Sequence, residues 1–170
     1  MNKLKGCTVL TPHAFIDIDL SAQTLRVQSD TLTKSYFISS AKHGAGQLSG
    51  SGCTPLGHHI IRAKIGNGVA LNSVFSGRRI TGEIYSPELA KRYPERDWIL
   101  TRILWLSGKE LEYNRLGDVD SMRRYIYIHG TPDSEPMGIP LSHGCIRMRN
   151  TDVVELFDLL PVGTGVYIHM

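Results

Sequence analysis

Residues 15–20 read FIDIDL, and after a short polar turn residues 24–28 read TLRVQ. A period of two puts Ile16, Ile18 and Leu20 on one face of an extended strand and Asp17 and Asp19 on the other, which no helix can do. Leu25 and Val27 repeat the pattern, so the two runs predict a hairpin. Further strands are expected at KSYFIS (34–39), HIIRAKI (59–65), WILTRILWL (98–106), RYIYIH (124–129) and GVYIH (165–169). Each is rich in β-branched or aromatic residues and bounded by Gly, Pro or Ser, so the fold is expected to be mainly β.

Two short helices are expected between them. Ser86 before Pro87 is an N-cap followed by proline at the first helical position, and Pro94 ends PELAKRY (87–93). Asn150 is expected to cap TDVVELFDLL (151–160), with Val153, Val154, Phe157 and Leu160 as the apolar stripe and Pro161 and Gly163 as the stop. The Gly-rich stretch HGAGQLSGSGCTPLG (43–57) is a long loop without the residue order of a phosphate loop.

At 170 residues the chain is expected to form a single domain, 1–170. Residues 66–124 are longer than a minimal domain needs and are expected to form either a lid over a cleft or an ordinary pair of strands plus a helix. The formal charge of +3 is scattered, so nucleic acid is not an expected partner. Nor is a membrane, because no apolar run approaches the length of a span. Lys3 and Lys5 precede an apolar run that breaks at Thr11, Pro12 and His13, so no export signal is expected and the cytoplasm is the expected location. A chain trimmed from a longer one would reverse that inference and point to the periplasm. Three cysteines, Cys7, Cys53 and Cys145, are an odd number without paired spacing. They imply neither a disulfide framework nor a zinc knuckle.

The segment HGTPDSEPMGIPLSHGCIRMRN (129–150) carries the chemistry. His129 ends a strand, where a side chain projects into a cleft, and Cys145 follows Ser142, His143 and Gly144 on a turn. A cysteine nucleophile needs a base, an orienter for that base and N–H donors for the oxyanion. His129 is the candidate base, the carbonyl of Gly130 or a neighbour the orienter, and the amides of Gly144 and Cys145 the donors. On the residues alone two other readings stay open. Cys145 could be a packing thiol, or a metal ligand with His143 and His129. His143 is equally well read as a residue that hydrogen-bonds the backbone to hold the turn.

IYIHG, then SHGCIRMRN, a helix and GTGVYI, together with TPLG at 54–57, resemble the catalytic domain of the YkuD-type L,D-transpeptidases over nearly the whole chain. The resemblance implies a sandwich-like or barrel-like domain of mixed sheets with two short helices. Carried over to this sequence, it makes Cys145 the acyl-accepting nucleophile, His129 its base, and Ser142, His143 and Gly144 the residues that shape the pocket. The gap between His129 and Ser142 is a little shorter than the family's usual pattern. Arg147 stands where many members carry Asn, which resembles a variant in which Arg could pair with a substrate carboxylate; the alternative is a surface cation. Arg78 and Arg79 are further candidates for that contact, although neighbours on a strand face opposite ways and at most one should serve.

The resemblance implies peptidoglycan stem peptides or muropeptides as partners and attack at the carbonyl of the third residue. D-alanine leaves and a thioester forms on Cys145. An amine acceptor then gives a cross-link, and water gives a trimmed tripeptide. With no export signal expected, the leading reading is an L,D-carboxypeptidase of wall recycling. The alternatives are a periplasmic L,D-transpeptidase, a non-catalytic wall-peptide-binding module and a zinc hydrolase. No cofactor or metal is expected, and the oligomeric state is not legible in the sequence.

Overall fold

The computed structural model describes residues 13–170. The expectations for Lys3, Lys5 and Cys7 lie outside the described residues. The alternating runs form β1 (Phe15–Asp19) and β2 (Thr24–Gln28), paired antiparallel. Ile16, Ile18, Leu25 and Val27 are fully buried, as the period of two requires. Asp19 closes the turn, its carboxylate accepting from the amides of Ser21 and Ala22 at 2.9 Å each.

β3 (Thr33–Phe37), β4 (Gly57–Ile65), β5 (Ser73–Ser76), β6 (Arg79–Ile84), β7 (Ile99–Gly108), β8 (Tyr127–Gly130), β9 (Ile146–Met148) and β10 (Gly165–His169) complete one mixed sheet. Its order is β3-β2-β1-β10-β4-β7-β5-β6, with β8 on β7 and β9 on β8. β1 and β10 run parallel, as do β8 and β9; the other pairs are antiparallel.

β7 is the strand that joins three others. It pairs with β4 along Ile103–Gly108, with β5 at Ile99–Leu100 and with β8 from Leu100 to Trp105. Residues 66–124 are therefore not one appendage. They supply this central strand as well as the β5–β6 hairpin and α1 (Pro87–Arg92). Ser86 caps α1 as expected, its hydroxyl accepting from the Leu89 amide at 3.2 Å.

α2 (Asn150–Leu159) departs from expectation at two places. Its N-cap is Arg149, without a side-chain cap, and Asn150 is buried with its amide turned inward. Leu156, not Val154, completes the buried stripe with Val153, Phe157 and Leu160. That stripe belongs to one buried cluster with Ile16, Leu104, Ile128, Ile146 and Ile168, and α2 lies against β7 and β8. Burial of each such side chain contributes about 1.5–3 kcal/mol. Among the described residues no helix is long and apolar enough to cross a membrane.

Candidate active site

Two adjacent parallel strands fix the site. β8 ends in His129 and Gly130, β9 begins immediately after Cys145, and the register sets His129 beside Arg147. Residues 38–41 flank β9 on its other side. The amide of Ser39 donates to the carbonyl of Arg147 and the amide of Arg147 to the carbonyl of Ser39, each at 2.9 Å.

His129 is buried, and its Nδ1 lies 2.7 Å from the carbonyl oxygen of Gly130. A carbonyl only accepts, so Nδ1 carries the proton, and Nε2 of the neutral ring holds the free lone pair. Burial lowers the pKa of His129 and favours that neutral form. The expected orienter, the carbonyl of Gly130, is in place.

Cys145 is half-buried. Its Sγ accepts from the Tyr127 amide and donates to the Tyr125 carbonyl, both at 3.3 Å. Burial pushes the thiol up to about 12, against the opposing pull of the Tyr127 amide. A thiol raised in this way would act as a nucleophile only with a base to take its proton.

Ser142 holds the turn before it, its Oγ accepting from the Gly144 amide at 3.2 Å and donating to the Cys145 carbonyl. The turn-holding part considered for His143 thus belongs to Ser142. One of the two amides expected at the oxyanion, that of Gly144, is engaged by this hydroxyl. Gly144 has φ +133°, and a Cβ there would lie 3.4 Å from the carbonyl oxygen of Cys53. Backbone conformation, more than crowding by a substrate, explains the glycine. Thr54 of TPLG is fully buried, its hydroxyl donating to the Gly144 carbonyl at 2.9 Å and accepting from the Ala41 amide at 3.1 Å.

Arg147 faces the chain's own acids. Its Nη2 lies 2.7 Å from Asp97 Oδ1 and its Nη1 3.7 Å from Glu135 Oε2. Asp97 also lies 3.4 Å from Nδ1 of the exposed His143. Burial raises the Asp97 carboxyl, but the neighbouring His129, Arg147 and His143 reverse this and hold it below its ordinary value. Asp97, Glu135, Arg147 and His143 line a recess of about 220 Å³ with Glu95 and Thr131. A second recess of about 410 Å³ meets His143 from the other side, between Gly50, Gly52, Arg123 and Tyr125.

Arg78 stands apart from Arg147. Its guanidinium stacks 4.4 Å over Trp105 and 5.0 Å from Tyr125 and donates to the Tyr127 hydroxyl at 3.1 Å. It braces the segment whose backbone touches Cys145, and Arg79 is exposed on β6. Cys53 is a free thiol behind Gly144, its Sγ 3.4 Å from the His43 carbonyl. Among the described residues no three His, Cys, Asp or Glu side chains gather as a metal-holding group.

Thr54, Asp97 and Asn150 were not among the expected site residues. Thr54 had a visible signal in TPLG. Asp97 had none, since a charge in a loop looks the same whether solvated or paired.

The YkuD family model, described as the L,D-transpeptidase catalytic domain, matches residues 13–168. The putative L,D-transpeptidase YqjB of Bacillus subtilis (strain 168) is 56% identical over 41 residues, which is 24% of this chain and 23% of that protein. An L,D-transpeptidase structure from Mycobacterium smegmatis superposes with a TM-score of 0.55 at 18% identity, covering 93% of this chain and 59% of that one. L,D-transpeptidase 3 from Mycobacterium tuberculosis, in complex with a faropenem-derived adduct, gives 0.58 at 15% identity, covering 92% and 60%. At these identities the structures speak for the shared fold. With the family model matched from the start of the first hairpin to the last strand, the chain belongs to the YkuD family of L,D-transpeptidase catalytic domains.

Proposed function

We propose that the chain performs cysteine-dependent acyl transfer at the L,D peptide bond of peptidoglycan stem peptides. The observation that carries this is a half-buried thiol immediately before β9 and, on the adjacent parallel strand β8, a buried imidazole whose Nδ1 is committed to the Gly130 carbonyl. As Sγ of Cys145 bonds to the carbonyl carbon of the third residue, its proton passes to Nε2 of His129. The same proton goes to the departing amine as the C–N bond breaks, releasing D-alanine and leaving a thioester. An acceptor then attacks the thioester and returns a proton through His129 to Sγ.

Two acceptors are possible, and the recesses on either side of His143 bear on the choice. Room on both sides of His143, two residues before the thiol, with one wall carrying Glu95, Asp97 and Glu135, suits a second stem peptide arriving as an amine. That outcome is a cross-link, made outside the membrane. Water is the second reading and gives tripeptide, the trimming reaction of a cytoplasmic L,D-carboxypeptidase. The small volume of the Arg147 recess, whose guanidinium is held by the chain's own ion pairs, supports it. In either case the loop bearing Asp97 forms one wall of the Arg147 recess and narrows it.

The test is incubation with a defined tetrapeptide muropeptide at rising concentration, with products identified by mass. Cross-linked dimer that grows with substrate supports transfer, because a positioned amine outcompetes water. Tripeptide as the main product at all concentrations supports trimming. Binding without any D-alanine release leaves a wall-peptide-binding module, and activity lost on chelation leaves a metal hydrolase. A reporter fusion to the native gene product decides the location.

A further inference from the structure

Behind His129 lies a connected set of polar side chains, buried at Thr101 and Asn150 and partly buried at Asn72, that the expected site does not include. Asn150 donates from Nδ2 to the Thr131 carbonyl at 2.9 Å and to Asn72 Oδ1 at 3.0 Å. Its Oδ1 accepts from the Thr101 hydroxyl at 2.6 Å, and that hydroxyl accepts in turn from the Asn72 amide at 3.0 Å. Thr101 is fully buried with φ +72°, and Asn72 has φ +65°. A β-branched residue holds that backbone region only where its surroundings impose it. Thr101 also falls where the β7–β8 register shifts, between Leu100 and Ile103.

This cluster abuts the peptide that carries the orienter of the base. The peptide joining Gly130 to Thr131 is planar, so its N–H and C=O point in opposite directions. Its N–H donates to the Met148 carbonyl at 3.2 Å, which turns its C=O toward Nδ1 of His129. Asn150 fixes the next peptide by holding the Thr131 carbonyl. A Cβ on Gly130 would lie 2.4 Å from Asn150 Oδ1 and 2.6 Å from the Leu100 carbonyl oxygen. Only glycine lets the strand lie this close to the cluster.

We infer that Asn150, with Thr101 and Asn72, is a positioning assembly that sets the Gly130 carbonyl and thereby keeps His129 in the tautomer with its proton on Nδ1. The inference rests on the proposal that His129 is the base, but its main readout does not depend on the substrate. Nitrogen-15 NMR of the labelled protein distinguishes an imidazole protonated on Nδ1 from one protonated on Nε2. The wild type is expected to show the Nδ1–H form. Asn150→Ala should show a mixture of the two, with kcat lowered about 10- to 100-fold, the usual effect of losing a group that orients a catalytic one, and KM nearly unchanged. Thr101→Ala should move both readouts in the same direction, and Thr101→Ser, which keeps the hydroxyl, should restore them. If Asn150→Ala does not fold, the two Thr101 variants decide.

A wild type protonated on Nε2, or an Nδ1–H signature unchanged in Asn150→Ala or, failing that, in Thr101→Ala, overturns the inference and makes the cluster a matter of folding alone. Should the tautomer respond as expected while no muropeptide is turned over, the positioning stands and the substrate proposal fails.

Discussion

The two walls of the cleft are built by different physics. On the motif wall, residues 142–148 are tied to residues 38–41 and to Thr54 mainly by hydrogen bonds in which at least one partner is backbone, and Ser142, Gly144 and Thr54 are all buried. The acid wall meets Arg147 through side chains only, with the Asp97 side chain 43% exposed and that of Arg147 9% exposed. Breaking a buried backbone bond costs about 1–3 kcal/mol, whereas a partly solvated ion pair is worth less and rearranges easily. The motif wall can therefore hold reacting atoms still. The acid wall can open for a ligand and close on itself without one.

The largest effects should come from the motif wall. Cys145→Ala should abolish D-alanine release while leaving the melting temperature nearly unchanged, because little packing is lost at a half-buried position. Turnover near the wild-type rate would remove the thiol from the mechanism. His129→Ala should lower kcat on the order of 10²–10⁴, the usual worth of a positioned base. Activity recovered once the folded fraction is corrected for would reduce His129 to a structural part.

Thr54→Val and Arg147→Ala then separate the walls. Valine keeps the shape of threonine but strands the Gly144 carbonyl and the Ala41 amide, so urea denaturation should show a loss of about 1–3 kcal/mol together with a lower kcat. Arg147→Ala should act mainly on kcat/KM, by about 1.5–3 kcal/mol, if the guanidinium exchanges Asp97 for a substrate carboxylate. Amidating that carboxylate should then penalise the wild type more than the variant. Equal penalties would mean that Arg147 stays with Asp97 and Glu135 throughout.

The same contrast explains what the sequence could tell. The motif wall was legible because backbone geometry selects residue types. Gly144 marks a positive φ, Ser142 and Thr54 supply compact hydroxyls, and His129 ends a strand with a clear apolar run. The first hairpin was legible because its alternation survives burial of one face. β9 was not picked out as a strand, since it has only 3 residues, all buried, and no alternation to show. Asn150 looked like a helix cap because the residue type fits one, and only the neighbouring Thr101 and Thr131 reveal that its amide is used inward. Asp97 was invisible for the opposite reason. Its partners Arg147 and His143 lie far along the chain, and no local pattern links them.

The smallest effect concerns the charge of the acid wall on the base. As the proposed base, His129 would have to be neutral to accept the thiol proton, and burial holds its pKa below the ordinary 6.5. Activity should therefore rise from acid along a limb below pH 6.5 and stay flat through neutrality, because the thiol, pushed up to about 12, does not ionise there. Asp97 opposes the lowering at His129, since its negative charge favours the imidazolium, while Arg147 adds to it. Asp97→Asn removes the negative charge and leaves the positive one unpaired, and both changes disfavour protonation of the ring. The acid limb of kcat/KM should move to lower pH, with the plateau changed less than by Arg147→Ala. The measurement is a pair of pH profiles on the same muropeptide. A limb that moves to higher pH would show that the Asp97 charge does not act on His129 in this way, and a rise in wild-type activity between pH 8 and 9 would report thiolate formation and remove the flat plateau expected of a thiol raised by burial.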